Sequence, residues 1–338
     1  MEINLLKYFS FKRALNAFEI VFSFYISKLV KKPVVWGLPI SLSVEPTNHC
    51  NLKCPECPSG LGELTRPLGL LKFDNFKKLI DQVKSRSFYV QLYFQGEPYV
   101  NKHLPEMINY AQANNMYISI STNGLLINEK TVEKILLSAP NKLIFSIDGL
   151  DEESYQNYRV GGTFKQADES LRLLLIKKKE MRLKKPFVEL QFIVMKQNEH
   201  FIDKVFEYGN EVGIDKVVLK TMQVSSYENA LHFLPENENY RRYEITNGDF
   251  HIKNKMKNHC FALWRTSVIT WDGKVVPCCF DKDAEFELGK LNGRSFSDVW
   301  NSPEYNKFRK RILSNRKEVN ICTNCTEGLK VNILEIEQ

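Results

Sequence analysis

The sequence lacks any apolar run that could cross a membrane as a helix. A spanning helix needs about 20 mostly apolar residues, and the most apolar stretch, residues 5–30, is interrupted by Lys12, Arg13, Glu19 and Lys28. The N-terminus also lacks the apolar core and the small-residue cleavage site of a secretory signal peptide. Together these absences predict a protein that stays in the cytoplasm.

Cysteine is missing from most of the chain. All eight cysteines fall at positions 50–57 and 260–325, and none occurs between Cys57 and Cys260. Disulfide frameworks are typical of small secreted domains, whereas this chain has 338 residues. Clustered cysteines in a long chain without a signal peptide predict metal sites in a reducing compartment.

No strong excess of one charge points to a nucleic acid. The formal net charge is +7, and the hydrophobic content of 43% and charged content of 26% are ordinary for a globular protein. The densest basic cluster lies at 307–317 and is predicted to be the solvated face of a helix rather than an RNA-binding surface.

Residues 1–39 form an apolar and aromatic extension that is predicted to contain an amphipathic helix. Two placements are open. In the favoured one the helix packs on the protein core, and in the other it lies on a membrane surface as a peripheral contact.

Strand and helix patterns alternate through residues 40–222. Strands are predicted at 40–46, 89–94, 117–121, 143–147, 187–194 and from 216 onward, and helices from 74 and at 104–113, 129–137, 152–185 and 201–212. This alternation implies a parallel sheet with helical crossovers. An α/β fold is therefore expected, and six βα units are too few for a closed eight-stranded barrel. Residues 223–259 are polar and weakly periodic and are interpreted as a linker. The linker and the C-terminal domain that follows it together make up residues 223–338.

Three cysteines follow the first predicted strand in the pattern C-x-x-x-C-x-x-C, at Cys50, Cys54 and Cys57. Thiolates are soft ligands that bind zinc or iron–sulfur clusters. A structural zinc site closes with four ligands, so three thiolates on a four-iron cluster leave one iron open. The alternative is a zinc knuckle with His49 as the fourth ligand.

This motif and its flanks resemble the radical S-adenosylmethionine (SAM) superfamily. The resemblance implies a partial (β/α)6 TIM-like barrel over 40–222 and a [4Fe–4S] cluster held by Cys50, Cys54 and Cys57. It also implies that SAM binds the open iron and is cleaved reductively to a 5′-deoxyadenosyl radical. An electron donor such as flavodoxin or ferredoxin is implied as a partner.

Short polar elements at the predicted strand ends match further family features, since chemistry in such barrels sits at the carboxyl ends of the strands. The run at 95–98, Gln-Gly-Glu-Pro, resembles the G-G-E-P element whose backbone and acid hold the SAM amino group. This assigns Gly96 and Glu97, with Gln95 in place of the first glycine. Asn123 is predicted either to hydrogen-bond a sugar or carboxylate or to cap a helix and turn.

Two more elements complete the predicted SAM contacts. Ser146 and Asp148 resemble a family S-x-D-G element near the SAM ribose and carboxylate, although Asp148 can equally act as a cap. Arg159 resembles the arginine that pairs with the SAM carboxylate, a task suited to a guanidinium fork. The residue before the third cysteine, often aromatic in the family, is Glu56 here, so no residue is assigned to adenine packing.

The second cysteine group surrounds a predicted hairpin with Asp272-Gly273 at its turn, followed by a helix that begins after Ser302. Neighbouring strand residues point in opposite directions, so one of Cys278 and Cys279 is expected to bind, with Cys278 favoured. The predicted ligands are Cys260, Cys278, Cys322 and Cys325. The pattern resembles the shortened SPASM or twitch domain, which implies an auxiliary [4Fe–4S] cluster. A four-thiolate zinc ribbon is the alternative.

Three functions are consistent with these motifs. The first is a radical SAM oxidoreductase that carries out a net oxidation of a small molecule with help from the auxiliary cluster. The second is a maturase that oxidises or cross-links a ribosomally made peptide. The third is a non-catalytic, metal-stabilised binding module. No residue is assigned as a catalytic base.

Overall fold

The computed structural model describes residues 5–253, 256–327 and 335–337. The chain forms two compact units that each draw on separate stretches of sequence. The first comprises Met1–His49, Leu64–Ser119 and Lys255–Gly328, and the second comprises Cys50–Glu63, Ile120–Asn254 and Leu329–Gln338. Within the described residues, none of the helices combines the length and the apolar character that a membrane crossing requires.

Helices and strands alternate over most of the described chain. The α-helices are α1 (Leu5–Tyr8), α2 (Phe11–Val30), α3 (Pro58–Leu61), α4 (Phe73–Val83), α5 (Leu104–Ala113), α6 (Val132–Leu137), α7 (Glu152–Gln156), α8 (Phe164–Glu180), α9 (Ile202–Val212), α10 (Tyr227–Phe233), α11 (Ala262–Arg265), α12 (Phe296–Trp300), α13 (Pro303–Asn315) and α14 (Asn320–Thr323). The strands are β1 (Ser41–Val44), β2 (Tyr89–Gln91), β3 (Tyr117–Thr122), β4 (Lys142–Ser146), β5 (Phe187–Val194), β6 (Lys216–Thr221), β7 (Tyr243–Thr246), β8 (Asp249–Ile252), β9 (Thr266–Ile269), β10 (Lys274–Val276), β11 (Gly289–Lys290) and β12 (Glu335–Glu337).

In the first unit, strand β1 lies between two parallel partners. Leu42 is in register with Val90 of β2 on one side and with Ser267 of β9 on the other. Strand β9 turns through the predicted hairpin into β10, which pairs with it antiparallel. The positive φ of Gly273, 84°, is the conformation that glycine adopts most easily at such a turn. The C-terminal cysteine region is therefore tied to the first strand through β9.

In the second unit, β4, β5 and β6 pair in parallel, with Leu190 of β5 in register with Phe145 and Val217. All three side chains are fully buried, as expected for strands of a parallel sheet that is covered on both faces. The sheet pairing is mostly parallel, as the βα alternation predicted.

Most predicted elements are present with small shifts at their ends. Helix α5 and strand β5 have the predicted bounds. The helical stretch predicted at 152–185 is interrupted between α7 and α8, where Gly161 has a φ of 96° that does not fit a right-handed helix.

Residues 223–259, interpreted from the sequence as a linker, contain regular secondary structure. Helix α10 and the antiparallel β7–β8 hairpin occupy much of this stretch. Phe233 and Tyr243 are buried there, in one apolar cluster of the second unit. The sequence pattern did not predict these buried aromatic residues, because single buried aromatics in a polar stretch give no periodic pattern.

Helix α2 packs on the first unit, as favoured, but with its polar side inward. Ile20 and Phe24 are buried with four polar residues of the helix, Arg13, Asn16, Ser23 and Ser27. Most of its remaining apolar residues are exposed. The polar side faces inward because its buried side chains bind backbone groups that lie beneath the helix.

Candidate functional site

The first three cysteines lie on a short, tightly folded loop of the second unit. The Cys57 amide donates to the Cys54 carbonyl at 3.1 Å, and Cys57 then precedes α3. The Lys53 amide donates to the Val160 carbonyl at 2.8 Å, which fixes the loop to the segment after α7. A Cβ atom on Gly60 would lie 2.6 Å from the Cys54 nitrogen, so the close approach of these two backbones requires glycine.

An apolar cluster of the second unit surrounds this cysteine loop. Cys54 is buried in it, while Cys50 and Cys57 pack against it partly exposed. The other buried members include Leu52, Tyr158, Met195, Met222, Val224, Phe233 and Tyr243. Burial raises the pKa of the Cys54 thiol, and the nearby Arg159 guanidinium partly offsets this effect. Three thiols on one short loop, beside a cation and an apolar cluster, fit a negatively charged iron–sulfur cluster.

Arg159 and Asp148, both predicted as SAM contacts, form an ion pair. The Arg159 Nη2 atom lies 2.5 Å from Asp148 Oδ2, and Nε donates to the same oxygen at 2.6 Å. The other oxygen, Oδ1, accepts from the Ile193 amide at 2.7 Å. Burial raises the pKa of Asp148, and both the guanidinium and the backbone donor oppose that rise. Asp148 is therefore a structural acceptor for Arg159 and β5 rather than a helix cap.

Asn123 connects the end of β3 to the cysteine loop. Its Nδ2 donates to Asn51 Oδ1 at 2.8 Å, and its Oδ1 accepts from the Leu125 amide at 3.1 Å. Gly124, with a φ of 80°, makes the following turn, and a Cβ there would collide with the Phe145 ring. Of the two predicted roles, the turn contact is present, together with the contact to Asn51, which the sequence did not predict.

Ser146 lies at the carboxyl end of β4, as the strand pattern predicted. It is buried and stands in register with Gln191 of β5. Asp148 follows two residues later, so these two predicted SAM contacts share one strand end.

In the first unit, Gly96 and Glu97 form a turn against the backbone that precedes the cysteine loop. Gly96 has a φ of 74°, and a Cβ atom there would lie 2.5 Å from the His49 carbonyl oxygen. The Glu97 amide donates to that carbonyl at 2.7 Å. The Glu97 side chain is buried and accepts from the Tyr99 amide at 3.2 Å. The glycine is thus required by both conformation and space.

Nearby in the same unit is a buried ion pair that the sequence gave no reason to expect. Arg66 Nη1 and Nη2 lie 2.6 Å and 2.5 Å from the two carboxylate oxygens of Glu45. One of these oxygens also accepts from the Trp271 amide at 3.1 Å. Glu45 directly follows β1, so the pair fixes the end of that strand against the β9–β10 hairpin.

The second cysteine group lines one cavity of the first unit, about 160 Å³ in volume. Its thiol-bearing residues are Cys260, Cys278, Cys279, Cys322 and Cys325. Cys322 and Cys325 are buried, Cys260 and Cys278 are half-buried, and Cys279 is exposed. Both Cys278 and Cys279 line the cavity. The alternating direction of strand side chains therefore does not show which of the two binds a cluster. Burial raises the pKa of Cys260 to about 12 and that of Cys325 to about 11.

Arg316 places a buried positive charge at this cavity. Its Nη2 donates to Cys325 Sγ at 3.3 Å, and its Nη1 donates to the His259 carbonyl at 3.1 Å. The prediction that the basic cluster at 307–317 is a solvated helix face fits its exposed lysines but not Arg316. Arg309 of the same cluster is also buried, with its guanidinium 3.9 Å from the Tyr305 ring centre and 4.2 Å from that of Trp300.

The donor set of the cavity suits an iron–sulfur cluster. None of the eight cysteines, all of which lie within the described residues, is part of a disulfide. In the part of the chain that the structure describes, no three or more His, Cys, Asp or Glu side chains are grouped as ligands of a single metal ion. The cavity lining combines thiols with apolar side chains such as Leu263 and Phe308 and a guanidinium that donates to sulfur. Hydrogen bonds to sulfur and limited exposure are features that proteins use to hold and tune such clusters.

Comparison with known proteins identifies the family. The radical SAM superfamily matches residues 44–215, and the SPASM iron–sulfur cluster-binding domain matches residues 260–326. The chain is 25% identical over 317 residues to a Pyrococcus furiosus tungsten-containing aldehyde ferredoxin oxidoreductase cofactor-modifying protein, covering 84% of this chain and 86% of that one. It is 25% identical over 295 residues to a PqqA peptide cyclase of Granulibacter bethesdensis, covering 80% and 76%.

The fold is also similar to that of a solved enzyme, SuiB of Streptococcus suis bound to S-adenosylmethionine. The TM-score is 0.61 at 19% identity, covering 84% of this chain and 70% of that one. The superfamily match implies a [4Fe–4S] cluster and SAM as cofactors. The SPASM match implies auxiliary iron–sulfur binding by the C-terminal region. Both cysteine groups are therefore assigned to iron–sulfur clusters and not to zinc. With half of its length matched by the superfamily and its C-terminal cysteines matched by the SPASM domain, this chain belongs to the radical SAM superfamily of enzymes.

Proposed function

We propose that this radical SAM enzyme is a maturase that oxidises or cross-links a ribosomally made peptide. The observation that carries the proposal is the similarity to a PqqA peptide cyclase over 80% of this chain, through both the superfamily region and the SPASM domain. The fold similarity to SuiB, which has also been solved with the precursor peptide SuiA, points the same way.

The cofactor-binding residues follow from the two cysteine groups. Cys50, Cys54 and Cys57 would hold the cluster that binds SAM, and the C-terminal thiols would hold an auxiliary [4Fe–4S] cluster. When bound, these groups supply one-electron cleavage of SAM and a 5′-deoxyadenosyl radical that removes a hydrogen atom from the substrate.

The protein's own contribution is to bind, orient and exclude water. In the second unit, the ion pair with Asp148 holds the Arg159 guanidinium in one orientation, ready to donate to a carboxylate such as that of SAM. The apolar cluster around Cys54 keeps water from the thiol of that residue. Asn123 and Ser146 offer amide and hydroxyl groups at two strand ends of that unit, where a sugar could bind.

Gly96 and Glu97 are proposed to bind the SAM amino group. The Glu97 carboxylate is buried and held by the Tyr99 amide, so it is pre-oriented as an acceptor for an ammonium group. Loss of a second hydrogen from the substrate, as a proton and an electron, makes the overall reaction an oxidation. The C-terminal cavity is the part of the chain suited to an electron acceptor.

The test has two stages, so that the class of chemistry and the class of substrate are judged separately. Purified anaerobic enzyme with SAM and dithionite should form 5′-deoxyadenosine, and Cys54→Ala should form none. The enzyme is then incubated with each short peptide encoded beside its gene. Mass spectrometry should show a peptide that loses two hydrogen atoms for each 5′-deoxyadenosine formed. SAM cleavage with every such peptide left unmodified would reject the maturase proposal and leave the radical chemistry standing.

A small-molecule oxidation is the second candidate. It is favoured by the Pyrococcus furiosus relative, whose name describes a cofactor-modifying protein and which aligns over 84% of this chain. Deuterium transfer into 5′-deoxyadenosine from a labelled peptide, but from no labelled small alcohol, would decide for the peptide.

A further inference from the structure

The exposed side of helix α2 is a continuous apolar surface. Phe11, Phe18 and Leu29 are 77%, 64% and 83% exposed. Leu15 and Phe22 are exposed between them, at spacings of three, four and seven residues that place all five on one face of the helix. We call these five residues the N-terminal apolar face. Its Phe22 ring contacts Trp36, with ring centres 5.6 Å apart, so the surface continues past the end of the helix.

This face cannot turn inward, because the polar side of the helix is bonded to the first unit. Arg13 donates to the carbonyls of Asn115 and Lys84 at 2.8 Å and 2.7 Å. Asn16 exchanges two hydrogen bonds of 2.8 Å with the Leu38 backbone. Rotating the helix to bury its aromatic side would leave these buried donors and acceptors unpaired, which is costly.

Lysines border the N-terminal apolar face, and the one acidic residue of helix α2 is in an ion pair. Lys12 and Lys28 lie on the helix to either side of the face, and Lys31 and Lys32 follow its last turn. All four are exposed. Glu19, the one acidic residue of α2, lies 3.2 Å from Arg86 Nη1 in an ion pair. The rim of the face is therefore positive on both sides.

We propose that the N-terminal apolar face binds the surface of an anionic lipid membrane. An apolar helix face bordered by lysines is the arrangement that lies in a membrane interface, with its aromatic side chains at the acyl boundary and its lysines among the headgroups. Exposed Phe and Trp rings are suited to that depth. A second copy of the chain is a poorer occupant, since the same positive rims would then face each other. The proposal concerns where the enzyme works and is independent of its substrate.

Sedimentation with vesicles tests this proposal on the full-length holoenzyme. The protein should pellet with vesicles of phosphatidylcholine mixed with phosphatidylglycerol, and binding should weaken with salt because the headgroup attraction is screened. Binding to pure phosphatidylcholine should be weaker. The double variant Phe18→Gln and Phe22→Gln should lower the affinity by about ten-fold or more, because two buried aromatics are lost.

A matched control distinguishes binding through this face from non-specific binding of exposed apolar side chains. Leu137 and Ile176 are also exposed apolar side chains, at 70% and 55%, and the double variant Leu137→Gln and Ile176→Gln should bind vesicles as the parent does. Each variant should still form 5′-deoxyadenosine, which shows that it is folded. The fluorescence of Trp36, 51% exposed in the free protein, should shift to the blue with anionic vesicles, and this shift should vanish in Trp36→Phe.

Three results would overturn the proposal. The first is no pelleting with anionic vesicles. The second is equal pelleting of the parent and the Phe18/Phe22 variant. The third is a lipid-free dimer in sedimentation velocity that the same variant abolishes, which would assign the face to a second copy of the chain.

Discussion

The Arg159 guanidinium is held by one carboxylate oxygen of Asp148, with Nη2 at 2.5 Å and Nε at 2.6 Å. Asp148 is fully buried, and only 12% of the Arg159 side chain is exposed. Asp148 uses its second oxygen to bind the Ile193 amide. One carboxylate therefore fixes both strand β5 and a guanidinium that lies close enough to Cys54 to influence the pKa of its thiol.

Asp148→Asn should lower the free energy of unfolding by about 3 kcal/mol, because an amide NH2 replaces the oxygen that faces a buried guanidinium. Chemical denaturation of the apoprotein under anaerobic conditions measures this loss. The matched control is Asp168→Asn, whose partner Arg172 lies 2.8 Å away in a pair with 38% and 23% exposed side chains. That change should cost less than about 1 kcal/mol. Equal losses in the two variants would show that burial adds nothing to the Asp148 pair.

Gly60→Ala should disrupt the first cluster site. The new methyl group would lie 2.6 Å from the Cys54 nitrogen, so the cysteine loop must shift. Iron analysis of the reconstituted protein should fall from about eight irons per chain to about four. Gly62→Asn is the control, because Gly62 has open space around its Cβ position and asparagine tolerates its φ of 71°. Full iron content in Gly60→Ala would contradict the claim that this close approach is needed.

The two neighbouring cysteines of the C-terminal cavity should behave differently. Cys278 is half-buried and Cys279 is exposed, although both line the cavity. Cys278→Ala should lose the auxiliary cluster and keep about four irons per chain, whereas Cys279→Ala should keep about eight. Iron and sulfide assays on both variants measure this. The reverse result would assign Cys279 as the ligand.

Arg316→Gln should lower the reduction potential of the auxiliary cluster. A nearby positive charge and a hydrogen bond to a ligand sulfur favour the more negative, reduced state, and Arg316 supplies both through its 3.3 Å contact with Cys325 Sγ. The potential is measured by a redox titration followed by electron paramagnetic resonance. A background in which Cys50, Cys54 and Cys57 are alanine leaves one cluster to titrate.

Two further variants separate charge from structure at this position. Arg316→Lys, which keeps the charge, should recover part of the potential. Arg311→Gln is the control, because Arg311 bonds the Glu318 carbonyl at the exposed surface and acts on Cys322 more weakly than Arg316 does. It should therefore shift the potential much less. A potential that stays the same in Arg316→Gln would limit Arg316 to a structural role.

The local sequence was sufficient for several of the elements and for the family. Period-two and helical patterns predicted β5 and α5 with their bounds, because these signals are carried by residues close together in the chain. The Asp-Gly pair predicted the β9–β10 hairpin for the same reason. The spacing of Cys50, Cys54 and Cys57 identified a family whose chemistry depends on three neighbouring thiolates.

Contacts between distant residues were decided only by the tertiary structure. Nothing near Ser267 in the sequence indicates that β9 pairs with β1, since a strand's partner depends on the whole sheet. The same holds for Arg316 at Cys325 and for Asp148 as the partner of Arg159, because an isolated charged residue has no pattern that distinguishes a buried position from a solvated one. Helix α2 shows this most clearly. Its sequence determined an amphipathic helix, but which side faces inward was decided by backbone groups such as those of Leu38 and Lys84, which only the folded chain brings beneath Asn16 and Arg13.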